Sequence, residues 1–169
     1  MYWGLEMKDE PFHGIGRGTS NAEQRWWDAA RALAEARGRN RTRNCAVLVE
    51  GLRDRRALKR LGFTGPIELL NRGWSVDDVL VYLVDTYGRR HEFDGGPTVI
   101  VLMDWDRTGG RLQSNCRRNL ESLDVAFDES LHRTLLKCLK PETKTVEGLA
   151  SLTDVLGPLV DQFDEPSLD

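Results

Sequence analysis

The stretch Thr98–Gly110, TVIVLMDWDRTGG, decides the fold because an apolar run of strand length passes directly into two aspartates and a glycine pair. A run that is apolar at nearly every position is typical of a strand buried on both faces, as in parallel sheets. A second run of this kind, Cys45–Glu50 (CAVLVE), also ends in an acid. The two segments therefore predict parallel strands that each end in a carboxylate.

Segments with helical spacing alternate with the strand candidates along the chain. A helix is predicted over Asn21–Arg37 with Gly38 just past its end, and Ser75 is predicted to cap the helix that follows a strand at Pro66–Leu70. The other predicted elements are helices over 54–61, 110–123, 129–139 and 153–163 and a short strand within 124–128. This alternation predicts a single α/β domain with an N-terminal helix, in which helices flank a four-stranded, mostly parallel sheet.

Composition excludes several classes of protein. The 169 residues are 40% hydrophobic and 30% charged, and no apolar run approaches the roughly 20 residues of a membrane helix. The segment Met1–Gly18 lacks the pattern of a secretion signal, so we expect a cytoplasmic protein. Three cysteines and three histidines are scattered along the chain without paired spacing, which argues against a zinc site. A net charge of −3 argues against bulk electrostatic coating of nucleic acid but leaves room for a local basic face.

The acids at the two strand ends predict a cation site. If the strands are neighbours, Glu50, Asp104 and Asp106 converge on one edge of the sheet, with Asp54 nearby. Carboxylates this close repel one another unless a cation compensates, and ligands that offer only oxygen favour Mg²⁺, or Mn²⁺ in its place. A different role is open to Asp54 and Asp106. Both precede helices, where a carboxylate caps free N–H groups and stabilises by about 1 kcal/mol.

Glycines and arginines accompany the acids. Three glycines are expected to let the backbone approach a ligand closely: Gly51, Gly109 and Gly110. Three arginines are expected to hold phosphates: Arg53, Arg107 and Arg111. Arg107 has the strongest case because it lies between the acids and the glycines. Arg55 and Arg117 extend the same two basic clusters. Trp74 and Trp105 are candidates either for stacking on a base or for ordinary packing in the core.

Two spaced motifs carry a family resemblance. Glu50-Gly51-x-x-Asp54 and Asp104-x-Asp106-x-x-Gly109 resemble the Toprim domain of bacterial-type primases, topoisomerases, old-family nucleases and the ribosomal RNA maturase. The resemblance covers about 44–127, continues faintly through KTVEGLASL (144–152), and is strongest to small stand-alone archaeal Toprim proteins. It implies a Rossmann-like sheet with one or two Mg²⁺ ions at the strand ends. It also implies that Glu50 binds metal and acts as general acid or base, and that the Asp104 and Asp106 pair binds metal, with Asp104 bridging two ions.

The chain divides into four predicted parts, and the resemblance of the third suggests a function. The parts are a flexible arm (1–20), a helix with a basic linker (21–43), a Toprim core (44–128) and a C-terminal helical extension (129–169). The implied function is Mg²⁺-dependent chemistry on phosphodiester bonds of RNA or DNA, as in a nuclease or, less favoured, a primase-like nucleotidyl transferase. Since no accessory domain for positioning a polymer is evident, a protein partner or a homodimer is also expected.

Two alternatives remain open from the sequence. Asp104-x-Asp106-x-Thr108 also resembles the start of haloacid-dehalogenase-like phosphatases, in which Asp104 would be the nucleophile. That reading leaves Glu50 and Asp54 unexplained. The second alternative is a non-catalytic module that binds nucleic acid or a protein through the same metal ligands.

Overall fold

The computed structural model describes residues 17–164, and these form six α-helices, one 3₁₀ helix and four β-strands. The strands are β1 (Ala46–Val49), β2 (Ile67–Leu69), β3 (Val99–Val101) and β4 (Phe127–Asp128). The helices are α1 (Arg17–Thr42), α2 (Leu52–Arg60), α3 (Val76–Tyr87), α4 (Arg107–Ser122), α5 (Ser130–Leu139) and α6 (Thr153–Phe163), with the 3₁₀ helix at Glu147–Leu152 between α5 and α6.

The four strands form one parallel sheet in the order β2-β1-β3-β4. Val47 of β1 lies opposite Ile67 on one side and Ile100 on the other. Parallel neighbours need crossover connections, and the helices between the strands supply them. The predicted α/β class with a four-stranded parallel sheet is therefore confirmed, and the two strands that end in acids are neighbours.

Helices cover both faces of the sheet, which explains why the strands are apolar at consecutive positions. Val47, Val49 and Ile100 belong to one core, shared with α1, α2, α5 and α6. Leu48 and Val101 belong to a second core, shared with α3 and α4. Because successive side chains of a strand point to opposite faces, the two central strands of a sheet with two covered faces are apolar at every position.

Helix starts agree with local capping signals. Ser75 caps α3 as predicted, with its Oγ accepting a hydrogen bond from the Asp78 amide at 3.1 Å. Helix α4 begins at Arg107, three residues earlier than predicted, because Asp106 serves as its N-cap. The 3₁₀ helix is an additional element that the sequence pattern did not predict.

The end of α1 corrects the prediction of a basic linker. The helix continues past Gly38 to Thr42, so that the arginine-rich segment is helical. Arg37 and Arg41 each donate to the carboxylate of Asp164, just beyond α6, at 2.8 Å. These ion pairs join segments far apart in the chain and hold the last turns of α1 against the C-terminal helix. This contact cannot be predicted from the spacing of residues in the sequence.

The terminal segments differ in how they relate to the core. Of the predicted flexible arm, 1–20, residues 1–16 lie outside the described residues, and 17–20 form the start of α1. At the other end, α5 and α6 contribute buried side chains such as Leu135 and Leu156 to the main core. The predicted extension therefore packs on the sheet through residue 164, and 165–169 lie outside the described residues. No helix in 17–164 combines the length and the apolar character needed to span a membrane.

Candidate functional site

The carboxyl ends of three neighbouring strands meet at one edge of the sheet. The amide of Leu102, just after β3, donates to the Leu48 carbonyl at 2.8 Å, so β1 and β3 stay paired up to their ends. On the other side, the Asn71 amide donates to the Glu50 carbonyl at 2.9 Å. Glu50 therefore lies in the middle of this edge, and Asp104 follows the adjacent strand. Sheets of this kind bind ligands at this edge.

The surroundings of Asp104 disfavour its charged form. Its Oδ1 accepts a hydrogen bond from the Val146 amide at 2.8 Å. Burial raises the pKa of Asp104 to about 6, partly offset by that hydrogen bond, and the rise is reinforced by the negative charges of Asp54, Asp106 and Glu50. Three other carboxyl groups are thus close enough to repel the charged form of Asp104. A bound cation would relieve that repulsion.

Two of the four acids cap helices. The Asp106 Oδ1 accepts a hydrogen bond from the Gly109 amide at 2.7 Å at the start of α4. The Asp54 Oδ2 accepts one from the Gly51 amide at 3.0 Å at the start of α2, and Asp54 is only 7% exposed. Burial is the main reason that the pKa of Asp54 is raised. The capping role that the sequence left open is confirmed for both residues, although Asp54 is the third residue of α2 and does not precede the helix.

The Asp106 cap leads to a stability prediction. We expect Asp106→Ala to lower the free energy of unfolding by about 1 kcal/mol, because the Gly109 amide loses its acceptor. Asp106→Asn should stay close to the wild-type value, since asparagine caps equally well without the charge. Urea unfolding of the three proteins measures both effects. Equal stability of the alanine and asparagine variants would contradict a capping role.

The three glycines of the site have different reasons for lacking a side chain. A Cβ on Gly109 would lie 2.1 Å from the Asp104 carbonyl oxygen, so its close approach is to the protein's own backbone. A Cβ on Gly51 or on Gly110 would meet no atom within 4 Å. None of the three has a positive φ. Gly51 and Gly110 therefore leave open space at this edge of the sheet.

Exposed arginines surround the acids. Arg107 and Arg111, in the first turns of α4, are exposed, and their side chains make no hydrogen bond or ion pair within residues 17–164. The side chain of Arg53 is 78% exposed, and its guanidinium lies 3.8 Å from the Glu147 carboxylate. All three lie on the first turns of the helices that follow the acidic strand ends, and long exposed side chains of this kind can turn toward an anion.

Two other arginines of the basic clusters have structural roles instead. Arg117 donates to the Glu129 carboxylate at 2.7 Å, and Arg55 donates to the Ile67 carbonyl at 3.0 Å. Because their guanidinium groups already have partners within the fold, these two arginines are held in place by the protein itself. Trp105 is also structural. It is 4% exposed, and its indole donates to the Thr143 carbonyl at 2.7 Å.

Sequence reasoning missed two residues of the site. His132 on α5 is buried, and its Nε2 lies 3.1 Å from the Asp104 carbonyl oxygen; burial lowers its pKa. Glu147 opens the 3₁₀ helix, and its charge contributes to the raised pKa of Asp54. Both are far from the strand motifs in the chain. The faint continuation of the resemblance through 144–152 was the one signal that pointed toward Glu147.

The donor set fits a hard divalent cation that is held by few protein ligands. Within 17–164, no three His, Cys, Asp or Glu side chains form a ready cage for a metal ion. Mg²⁺ is usually held by one or two carboxylates together with water and substrate phosphate, so such a cage is not required. The Glu50 side chain makes no hydrogen bond within residues 17–164, and Asp104 uses only Oδ1. Glu50 and Asp104 are thus the residues that would hold the ion.

A comparison with solved structures supports the fold. A protein from Aquifex aeolicus aligns with a TM-score of 0.51 over 68% of this chain and 93% of its own, at 24% sequence identity. At this identity the likeness shows the shared α/β fold alone.

Sequence relatives define the family. No family model matches the chain. A UPF0292 protein of Thermococcus sibiricus is 31% identical over 109 residues, which are 64% of this chain and 78% of that protein. UPF0292 proteins of Thermococcus onnurineus (31% over 107 residues; 63% and 72%) and Methanosarcina barkeri (30% over 107 residues; 63% and 68%) match similarly. This level of identity across most of the relatives' length means that the chain belongs to the UPF0292 protein family.

Proposed function

We propose that this protein is a cytoplasmic, Mg²⁺-dependent enzyme of the Toprim type that acts on phosphodiester bonds of RNA or DNA. The observation that carries the proposal is the pair Glu50 and Asp104 at the ends of adjacent parallel strands, where the charges of Glu50, Asp54 and Asp106 all act to raise the pKa of Asp104. Maintaining that repulsion costs stability, and proteins commonly accept such a cost at functional sites.

The side chains of the site divide the work between metal, proton and phosphate. Glu50 and Asp104 would hold the ion, which when bound supplies positive charge to the reacting phosphate. The Glu50 carboxylate has no hydrogen-bond partner in the described chain, so one of its oxygens is available to accept a proton from an attacking water. Asp54 and Asp106 hold the starts of α2 and α4 in position next to this pair.

The basic groups counter the repulsion between a phosphate and the acids. Arg107 and Arg111 are exposed on the first turns of α4, where a guanidinium can bind a phosphate through two hydrogen bonds. The N-termini of α2 and α4 follow directly after the two acidic strand ends, and the partial positive charge of each helix start also favours an anion. A substrate with several phosphates suits this arrangement better than a small neutral ligand.

A metal-dependent cleavage assay tests the proposal. The protein is incubated with single- and double-stranded RNA and DNA in Mg²⁺, Mn²⁺ or EDTA, alongside Glu50→Gln. We expect cleavage or nucleotidyl transfer with metal only, and a loss of about 100-fold or more in Glu50→Gln, the range for removing a proton-transfer group. Circular dichroism and thermal unfolding establish that the variant is folded. If the wild-type protein is inactive on both RNA and DNA with either metal, the proposal that it is an enzyme is overturned.

A metal-dependent binding module is the second candidate. The observation in its favour is that Asp54 and Asp106 are committed to helix caps, which leaves two acids for the metal where a two-ion mechanism uses more. Calorimetry separates the two candidates. Mg²⁺ uptake that depends on Asp104, combined with metal-dependent binding but no turnover of nucleic acid or of a partner protein, would support the module.

A further inference from the structure

An aromatic side chain is exposed at the same edge of the sheet as the acids. Trp74 lies on the loop between β2 and α3, and its residue is 50% exposed. That loop is bonded to the site, because the Asn71 amide donates to the Glu50 carbonyl at 2.9 Å. Three residues span at most about 11 Å, so the Trp74 backbone lies within that distance of Asn71. A single bound nucleic-acid strand can therefore contact both Trp74 and the acids.

Neighbouring side chains hold Trp74 in place. Its ring meets the ring of Tyr82 edge to face, with centroids 5.7 Å apart. The Arg72 guanidinium lies 5.2 Å from the Trp74 ring centroid and 5.0 Å from that of Tyr82. Arg72 is fixed in turn, because it donates to the Leu69 carbonyl at 2.8 Å and to the Glu68 carboxylate at 2.9 Å. We call Arg72, Trp74 and Tyr82 the aromatic platform.

Glu68 holds the aromatic platform in place through its contacts with Arg72 and Tyr82. Its carboxylate accepts hydrogen bonds from the hydroxyls of Tyr82, at 3.0 Å, and Tyr87. Burial acts to raise the pKa of Glu68, but the hydrogen bonds from Tyr87, Arg72 and Tyr82 outweigh it and lower the pKa. Glu68 therefore stays ionised at neutral pH, and the platform is ordered before any ligand arrives. Ordering in advance reduces the entropic cost of binding.

Resting on the proposed function, we propose that the aromatic platform stacks an unpaired base of a single-stranded nucleic acid whose backbone passes Glu50 and Asp104. An exposed indole offers a flat apolar face on which any base can stack, so affinity without sequence preference is expected. The positive charge of Arg72 beside the ring suits the adjoining phosphates. Bases within a duplex are already stacked on one another, and for this reason the platform favours single strands.

Binding measurements without turnover test this inference. A fluorescent single-stranded oligonucleotide is titrated by anisotropy in EDTA and low salt, so that cleavage does not interfere. We expect Trp74→Ala to weaken binding by about tenfold or more, the range for losing one stacked base, and Trp74→Phe to keep most of the affinity. A duplex of the same sequence should show little dependence on Trp74.

Phe93 provides a matched control. It is 85% exposed, but it lies in the turn before β3, at the opposite edge of the sheet. Phe93→Ala should bind the single strand as the wild type does. Thermal unfolding of Trp74→Ala establishes that the variant is folded, and Trp74→Phe tests the ring if it is not.

The outcomes separate this inference from the proposed function. Three results would overturn the platform. They are equal affinity of wild-type and Trp74→Ala proteins for single strands, an equally large loss of affinity of Trp74→Ala for the duplex, and no binding of single strands by the wild type. Metal-dependent cleavage that is unaffected by Trp74→Ala at low substrate concentration would likewise overturn the platform and leave the proposed function standing. Binding that depends on Trp74 without any cleavage would support the platform and count against the enzyme.

Discussion

Replacing Asp104 by asparagine is expected to remove metal-dependent activity almost completely, by about 1,000-fold or more. The substitution takes one charged ligand from the proposed ion. It also keeps an oxygen that can accept the hydrogen bond from the Val146 amide. The loop at the strand end should therefore retain its structure. Cleavage rates with Mg²⁺, together with calorimetric Mg²⁺ titration, measure the effect.

The same variant should be more stable than the wild type when no metal is bound. The pKa of Asp104 lies at about 6 in the folded protein, above its ordinary value of 3.8. A raised acid pKa means that the folded state binds more protons than the unfolded state between these two values. Stability therefore falls as pH rises through this window, and the loss is complete above pH 6. Asparagine avoids that loss.

The size of this gain and its reversal by metal are both measurable. The full shift corresponds to about 3 kcal/mol, and solvent screening at this partly exposed carboxyl reduces the expected gain to about 1–2 kcal/mol at pH 7. Mg²⁺ at 100 times its dissociation constant should stabilise the wild type by about 2.7 kcal/mol and leave Asp104→Asn unchanged. An asparagine variant less stable than the wild type in EDTA would contradict uncompensated charge at this edge.

The second large effect is expected at the glycine pair that follows the acids. Gly109→Ala should lower the free energy of unfolding by about 3 kcal/mol or more, because the new Cβ would lie 2.1 Å from the Asp104 carbonyl oxygen and 2.6 Å from the Asp104 Cβ. Backbone must move to relieve this contact. Urea unfolding at neutral pH in EDTA gives the value.

The adjacent residue is a matched control for this effect. Gly110 lies in the same turn of α4, and a Cβ there meets nothing within 4 Å. Gly110→Ala should raise stability by about 0.5–1 kcal/mol, since alanine favours a helix interior over glycine. If both substitutions destabilise by similar amounts, the close approach of α4 to the strand end is not the reason for glycine at 109.

Much of the fold follows from local patterns in the sequence. Continuous apolar runs predict strands buried on both faces, and helical spacing between them predicts a parallel sheet. The acids Glu50 and Asp104 could be found for the same reason, because each directly ends such a run. Capping could also be predicted at Ser75 and Asp106, since a cap acts within one helical turn.

Other features depended on contacts between segments far apart in the chain. The last turns of α1 form ion pairs with Asp164, and the approach of Glu147 to Asp54 requires the 3₁₀ helix to fold back onto the sheet edge. Whether Trp74 is buried or exposed also depends on what packs around its loop.

The sequence by itself determined the two acidic strand ends, the helices between strands and hence the class of fold, because these follow from periodicities of a few residues. Only the tertiary structure decided which carboxylates lie close enough to Asp104 to raise its pKa, which arginines already have partners and which aromatic ring is exposed. These depend on distances between segments separated by tens of residues, and packing of the whole chain sets those distances.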